Sequence, residues 1–337
     1  MSKKIDIEYI AKESGVSRST VSRVLMNSTN VKEETRTRIL EVMEKANYHP
    51  SIVARGLATG RLNMVALIVS DIRNPFYAEL IWVINNSLRE KGYLMTLYNS
   101  SQIAGENDQH LQKLLDYGFS GIIIADARNE KSFGEILKGA SCPIVLVNRE
   151  IDFMAGYDSI SIDNKMGGYL AATHLLSLGH RKIAMLRGPE ISTTSQKRYE
   201  GYLHALKEYH IEPNPSYVRC GTLNMESGQH FARKVLMGPD APTAAFIGGD
   251  LMTYGVMDEL IRNGIRIPED ISIVGFDDIP LSGTSFIKLT TVSHPYDKIG
   301  TLVADRIIER INGNDEPTAK IVLTPTLKIR SSTRALN

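Results

Sequence analysis

The sequence predicts an all-α helix-turn-helix head joined to a larger α/β body of two lobes. Three observations carry this expectation. The first 61 residues are basic, and their helical periodicity is interrupted at Ser14-Gly15. From residue 62 onward, short apolar runs alternate with amphipathic segments of helical spacing. The length of 337 residues exceeds what one core usually organises, at about 100–200 residues per domain.

Charge divides the chain in the same place. The whole protein has 39 Lys and Arg against 38 Asp and Glu, a formal net charge of +1. Residues 1–61 hold 11 basic and 7 acidic residues, a net of +4, which leaves 28 and 31 in the remainder, a net of −3. A basic head on a slightly acidic body suggests a nucleic-acid module attached to something else, although a solvated helical face gives the same sum. With 42% hydrophobic and 23% charged residues, wholesale disorder is excluded. The best apolar run, Met64–Val69, falls far short of the roughly 18 residues of a membrane span. The start, MSKKIDIEYI, lacks the apolar core of a secretory signal. Cys142 and Cys220 form no CxxC and no disulfide framework. The expected location is therefore the cytoplasm, without membrane association.

In the head, Asp6 suits an N-cap, and Ile7, Ile10 and Ala11 then share one helical face. Ser14-Gly15 closes that helix, the glycine supplying a positive φ. Val16 plugs between helices, and Ser17 caps a second helix with Val21, Val24 and Leu25 inward. A third helix is expected over about Glu33–Asn47, with Ile39, Leu40, Met43 and Ala46 inward. The outer face of the second helix shows Arg18, Ser19, Ser22 and Arg23. A major groove about 12 Å wide admits one helix, whose N-terminal residues reach base edges. Arg18 and Arg23 offer forked donors to guanine, and Ser19 is an adaptable donor or acceptor. Ser17, Thr20, Ser22, Asn30 and Thr35 suit phosphate contacts, which position without specifying. A three-helix bundle with solvated arginines is the plainer alternative. After Pro50, SIVARGLA is too short for a stable isolated helix, which needs roughly 12–15 residues, so a flexible linker is expected in the free protein.

The body reads as strands at 64–69, 94–98, 121–125, 144–147, 183–187, 217–221, 244–247 and 272–275. Helical segments such as 76–91 and 107–117 lie between them, which implies parallel sheets with right-handed crossovers. More than 260 residues is too much for one such sheet, so two similar lobes are expected. Ligands of open α/β sheets bind beyond the carboxyl ends of strands. There stand Asp71 and Asn74, suited to ligand hydroxyls, and Phe76 and Tyr77, of which Phe76 can stack on a sugar face. Asn148, Arg149, Asp163 and Asp277 also follow strands. Each has a quieter reading: Asp71 as a loop cap, Asp163 as a helix cap near Lys165, Phe76 and Tyr77 as core. Asp278 is expected to face solvent or support its neighbour. His174, His180 and His294 lack metal-ligand spacing and read as structural, and no P-loop, zinc pattern or nucleophile elbow is present, so no metal or cofactor is expected.

The wording is more specific than the pattern. IEYIAKESGVSRSTVSRVL and NVKEETRTRILEVMEKANYHPSIVARGLATGR resemble the lactose-repressor (LacI/GalR) family of bacterial transcription regulators. The resemblance continues through MVALIVSDIRNPFYAEL, SIDNKMGGYLAATHLLSLGH, GYLHAL and ISIVGFDDIPL, and so spans essentially the whole chain. It implies that Arg18, Ser19 and Arg23 occupy base-reading positions, and Met26 departs from the asparagine common there. It implies a hinge over 50–61 that folds in the minor groove, Leu57 wedging between base pairs and Arg55 near the backbone. It further implies a type I periplasmic-binding-protein-like effector domain over 62–337, with the helix-turn-helix confined to 1–49. The lobes are expected at about 62–160 with 292–322 and about 161–290 with 324–337, with crossings near 161, 291 and 323.

By the same resemblance, Arg198 is the effector-anchoring arginine and Asp277 an effector-contacting carboxylate. Asp163 and Asp277 accepting and Arg198 donating would make a polyol-binding set, while Arg198 and Asp277 could equally pair as a clamp. Gly249-Asp250 stands where sugar-responsive members carry Asn-Asp, so the ligand loses an amide contact or gains room. Purine-responsive members place aromatics where this chain has Arg149 and Leu223, which disfavours a purine, and Arg149 with Arg198 suits an acidic or phosphorylated sugar. The expected protein is a non-enzymatic repressor of palindromic operator DNA, homodimeric or tetrameric, controlled by a sugar-like effector. Two alternatives remain: control by a protein co-repressor, for which the helical face along 299–311 is available, and a sugar-modifying enzyme using Asp71, Asp163 and Asp277.

Overall fold

Local capping starts the head. Asp6 Oδ1 accepts from the backbone N–H groups of Glu8 and Tyr9 at 3.1 and 3.0 Å, opening α1 (Ile7–Glu13). The computed structural model describes residues 5–25, 30–48, 62–100, 106–125, 130–149 and 156–336. Gly15 turns the chain at φ +66, a conformation that side chains resist. The Ser17 hydroxyl accepts from Thr20 N–H at 3.2 Å at the start of α2 (Arg18–Leu25), and α3 (Glu33–Lys45) completes the bundle. Ile10, Ala11, Val21, Val24 and Ile39 form its buried centre, with Val16 packed against it. Leu40, expected inward, is 49% exposed. The inward stripe of α3 is Ile39, Val42, Met43 and Ala46, and Leu40 lies about 100° around from Ile39. Met26 and the hinge, including Arg55 and Leu57, lie outside the described residues.

The body has two six-stranded sheets. The first lobe contains β1 (Leu62–Val69), α4 (Pro75–Glu90), β2 (Leu94–Asn99), α5 (Glu106–Leu115), β3 (Phe119–Ile124), α6 (Lys131–Lys138), β4 (Ile144–Val147) and β5 (Asp158–Ile162). The second lobe contains α7 (Asn164–Ser177), β6 (Ile183–Arg187), α8 (Thr193–Glu208), β7 (Val218–Cys220), α9 (Met225–Phe231), β8 (Ala244–Ile247), α10 (Asp250–Arg262), β9 (Ser272–Asp277) and β10 (Thr290–Ser293). The chain returns to the first lobe as α11 (Tyr296–Ile311) and β11 (Lys320–Leu323), then ends in the second with β12 (Thr326–Lys328). Strand orders are β11-β5-β4-β3-β1-β2 and β12-β10-β9-β8-β6-β7. Strands such as β4, β8 and β9 are buried along their whole length, as sheets covered on both faces require.

Two details differ from the sequence reading. The chain changes sheets after Ile162, after Ser293 and between Leu323 and Thr326, one to three residues later than expected. The reason is that β5 and β10 run on to the cleft before the chain turns, so β10 belongs wholly to the second sheet. That sheet is also not purely parallel, because β12 pairs antiparallel with β10. All the parallel strands end at the cleft, so a strand entered directly from the cleft side must run the opposite way. The inward face of α11, with Ile299, Val303, Ala304 and Ile307, is buried against α4 and the first sheet and so serves the core.

One contact positions the site described below. A β-carbon built on Gly201 of α8 would lie 2.0 Å from the Lys165 carbonyl oxygen of α7, and one on Gly168 would lie 2.0 Å from that of Arg198. The two helices therefore meet backbone to backbone. Gly201→Ala should lower stability by about 1–3 kcal/mol through overpacking, despite alanine's better helix propensity. Thermal unfolding checks this, and an unchanged or raised Tm would contradict the close approach.

Candidate effector cleft and nucleic-acid interface

Burial of Val21 and Val24 leaves Arg18, Ser19 and Arg23 exposed on α2. Arg18 Nη1 is 3.5 Å from Glu8 Oε1, with both side chains about 70% exposed, a pair that costs little to release. Ser17 and Asn30 are exposed, while Thr20, Ser22 and Thr35 are half-buried. The Ser17 hydroxyl also bonds the hydroxyls of Ser19 and Thr20 at 2.8 and 2.9 Å. The helix thus presents two forked cations and a group of hydroxyls on one side, a surface that fits phosphate and base edges.

The second site lies where the carboxyl ends of the two sheets face each other. Asn74, Phe76, Tyr77, Asn148 and Arg149 line it from the first lobe. Ser195, Arg198, Leu223, Gly248 and Asp277 line it from the second. The free volume is about 30 Å³, room for one water. Ligand pockets need about 300 Å³ or more, so admission of a ligand requires the lobes to part.

Arg198 is buried and held from several sides. Its Nε donates to Asn164 Oδ1 at 2.9 Å and its Nη1 to the Gly248 carbonyl at 2.7 Å. Asp277 Oδ1 is 3.8 Å from Nη1, and the guanidinium carbon sits 3.6 Å from the Phe276 ring centroid. Burial pulls the arginine's pKa down and the Asp277 charge opposes that shift. Sequence reasoning found Arg198 and Asp277 and also their pairing.

The turn carrying Asp277 is strained. Asp277 and Asp278 have φ of +116 and +57, unfavourable for residues with a β-carbon. The Tyr296 hydroxyl donates to the Asp277 carbonyl at 3.0 Å, and Arg330 Nη2 donates to Asp278 Oδ1 at 2.6 Å. Asp278 therefore supports its neighbour and does not face solvent. Beneath the turn, the fully buried Asp250 accepts from Ile279 N–H at 3.1 Å and from the hydroxyls of Ser282 and Thr291. His294 Nε2 lies 3.3 Å from Asp277 Oδ1, and burial pushes the imidazole pKa down, which keeps the ring neutral near pH 7. Sequence reasoning missed Ser195, Asn164, Asp250, Tyr296 and Arg330 and read His294 as structural only; of these, only the Gly249-Asp250 departure offered a signal.

The remaining expectations divide. Asn74 lines the cleft while its side chain accepts from Phe76 N–H at 3.1 Å, capping α4. Phe76 and Tyr77 line the cleft and are also core, 5% and 2% exposed, with the Tyr77 hydroxyl taking a 2.6 Å bond from Ser70. Gly249 is not itself a lining residue, but a β-carbon there would lie 3.5 Å from Asp277 Oδ2 and 3.6 Å from Leu223 Cδ2. Asp71 and Asp163 do not line the cleft. Asp71 is engaged by Arg73 through the backbone N–H at 3.0 Å and the guanidinium at 2.8–3.2 Å, which lowers its pKa. Asp163 caps α7 by accepting from Met166 N–H at 2.8 Å. Each carboxylate thus has a partner within three residues in sequence. Among the described lining residues Asp277 is the one carboxylate, where glycoside hydrolysis needs a pair. Among the described residues no His, Cys, Asp and Glu cluster could hold a metal, and no helix is long and apolar enough to cross a membrane.

Burial, with the nearby Asp277 charge, raises the Asp250 pKa from 3.8 to about 8. A folded-state pKa above the unfolded value means that this group's stability is complete below about pH 4 and is lost as pH rises toward 8. Asp250→Asn should flatten that fall, so the variant gains on the natural protein between about pH 5 and 8 in urea unfolding. Parallel stability profiles for the two proteins would refute a neutral buried acid.

Residues 6–51 match the family model for bacterial regulatory proteins of the lacI family, and residues 172–333 match that for the periplasmic binding protein-like domain. The HTH-type transcriptional repressor PurR of Pasteurella multocida (strain Pm70) is 32% identical over 330 residues, 98% of each chain. Among solved structures, the lac repressor dimer bound to operator and the anti-inducer ONPF is 26% identical, with a TM-score of 0.87 over 99% of this chain and 100% of that one. The complex of the transcriptional regulator CelR with cellobiose is 28% identical, with a TM-score of 0.74 over 98% and 100%. A helix-turn-helix head, two sheets facing across a cleft and similarity along nearly the whole chain lead to one conclusion: the protein belongs to the lacI family of bacterial regulatory proteins and is a DNA-binding transcriptional regulator.

Proposed function

We propose that the protein is a cytoplasmic, non-enzymatic repressor that binds a palindromic operator as a homodimer and is controlled by a sugar or sugar derivative in the interlobe cleft. The observation that carries this reading is the cleft itself, where the buried Arg198 and Asp277 stand with polar atoms lacking partners. Asn148 Oδ1 and Ser195 Oγ are both buried without a hydrogen-bond partner, and a polyhydroxylated ligand would supply one. Phe76 and Leu223 add an apolar surface that suits the C–H face of a sugar ring. The cellobiose complex of CelR gives a parallel for the ligand class. A purine is disfavoured by Arg149 and Leu223, which offer no pair of aromatic faces.

A dimer follows from operator geometry, since one recognition helix reads only a few base pairs and two related helices read a palindrome. Trp82, 65% exposed on α4, and Phe286, 94% exposed, provide apolar surface on both lobes for such an assembly. Arg18, Ser19 and Arg23 read bases, and Arg55 and Leu57 act in the minor groove through the hinge. Because coupling is reciprocal, operator DNA changes effector affinity by the same factor that effector changes operator affinity.

Two substitutions test this. Arg18→Ala should cost about 1–3 kcal/mol at one base pair and relax preference there; equal weakening on all sequences in a binding-site selection would remove the base-reading role. Asp277→Asn should abolish the effector response while operator affinity stays within about threefold, a change under 1 kcal/mol. Loss of both activities would assign Asp277 to folding instead.

A further inference from the structure

We propose that the groove between strand β7 and helix α9, at the far edge of the second lobe, is a second ligand site, taking an organic phosphate monoester with hydrogen-bond donors at its other end: a sugar phosphate or a nucleotide. Its free volume is about 700 Å³, inside the range of about 300–1,000 Å³ that ligand pockets occupy. β7 ends its sheet, so its outer side has no strand partner among the described residues. α9 continues into a π-helical turn, Ala232–Leu236, a local widening frequent at functional sites. Leu186 and Phe231, each 1% exposed, form an apolar floor.

Chain direction sorts the polar groups along the groove. β7 runs toward the cleft and the chain returns along α9, so Arg219 and Lys234 come to the end away from the cleft, and Glu226 to the end beside it. Arg219 pairs in register with Leu186 and so stands on the same face of the sheet. Its Nη1 donates to the Pro215 and Val218 carbonyls at 3.1 and 2.7 Å, which orient the guanidinium without neutralising it. Arg233 is paired with Glu259 at 2.6 Å, whereas Arg219 and Lys234 form no ion pair among the described residues. Glu226, His230 and Lys234 recur every four residues and line one wall. A phosphate fits between the arginine fork and the ammonium, with the imidazole beside it. At the opposite end the exposed Glu226 carboxylate accepts from a hydroxyl or amine, and the apolar floor between them suits a ring.

The groove also touches the interlobe cleft. Thr222 and Asn224 line the groove, while Leu223 between them lines the cleft. Leu223 Cδ2 lies 3.2 Å from where a β-carbon on Gly188 would stand, so it packs closely against the cleft wall. The loop is fastened to α9: Thr222 N–H donates to Ser227 Oγ at 3.0 Å, and Ser227 N–H to Asn224 Oδ1 at 2.9 Å. A ligand that shifts α9 against β7 therefore moves Leu223, and the two sites influence each other reciprocally.

The test is calorimetry and hydrogen–deuterium exchange on the full-length protein with AMP, ribose 5-phosphate, adenosine, ribose and inorganic phosphate. At least one of the two esters should bind and slow exchange over residues 217–234, with its unphosphorylated parent at least about tenfold weaker. Binding of AMP alone identifies a nucleotide, and binding of ribose 5-phosphate a sugar phosphate; either supports the proposal. Arg219→Gln and Lys234→Gln, at exposed positions where substitution seldom disturbs folding, should each weaken the ester about tenfold or more, while Asp277→Asn leaves it within about threefold. Binding by neither ester, equal binding of the parent, an ester unaffected by both charge substitutions, or protection confined to cleft residues 74–77 and 148–149 overturns the site. Inorganic phosphate binding as tightly as the esters overturns the organic class. Exchange unchanged over residues 186–198 in the ester-bound protein overturns the link to the cleft. The sugar reading of the cleft stands or falls separately from all of these outcomes.

Discussion

The Arg198 guanidinium sits where water cannot solvate it, and the floor of the cleft is arranged around that constraint. A charge removed from water must find its solvation in the protein. Here Asn164 from the start of α7, the Gly248 carbonyl after β8, Asp277 at the end of β9 and the Phe276 ring supply it. These groups belong to different segments, so satisfying one side chain fixes their relative placement. The close crossing of α7 and α8 at Gly168 and Gly201 brings Arg198 to that point. Helix packing and site chemistry are therefore one arrangement.

The strained turn at Asp277 and Asp278 has the same logic. Left-handed backbone at two aspartates persists only where surrounding bonds over-determine it. Asp250 holds the following residue from beneath, Tyr296 holds the Asp277 carbonyl, and Arg330 holds Asp278. Tyr296 belongs to the helix that re-enters the first lobe, so the position of Asp277 is tied to both lobes. A ligand bonded to Asp277 would feel, and alter, their relation.

Much of this was legible in the residues because it is local or periodic. Strands buried on both faces read as unbroken apolar runs, and Asp6 and Gly15 announce helix ends by chemistry acting over three or four residues. The site was legible only where several segments shared a known pattern, as with Arg198 and Asp277. Asp71 and Asp163 were ambiguous because a carboxylate that caps a loop and one that binds a ligand look alike until their partners are placed. Leu40 misled because adjacent apolar residues in α3 leave the edge of the inward stripe undefined. Asp250 and Ser195 were hidden for another reason: their importance comes from burial by segments distant in sequence, which no short window contains.

The three connections between lobes are not spread across the sheets. One runs from β5 into α7, one from β10 into α11, and one from β11 to β12 across only two residues; β5 and β11 are neighbours at one edge of the first sheet, and β10 and β12 at one edge of the second. The lobes thus resemble the boards of a book bound along one spine. Such a binding permits little sliding or separation but allows rotation about itself. The strands farthest from the spine, β2 and β7, must travel most when the boards turn, and side chains beside it least. Tyr296, next to the spine, can keep its hold on the Asp277 carbonyl through the motion, while surfaces at the free edge sweep the arc that a bound partner would detect.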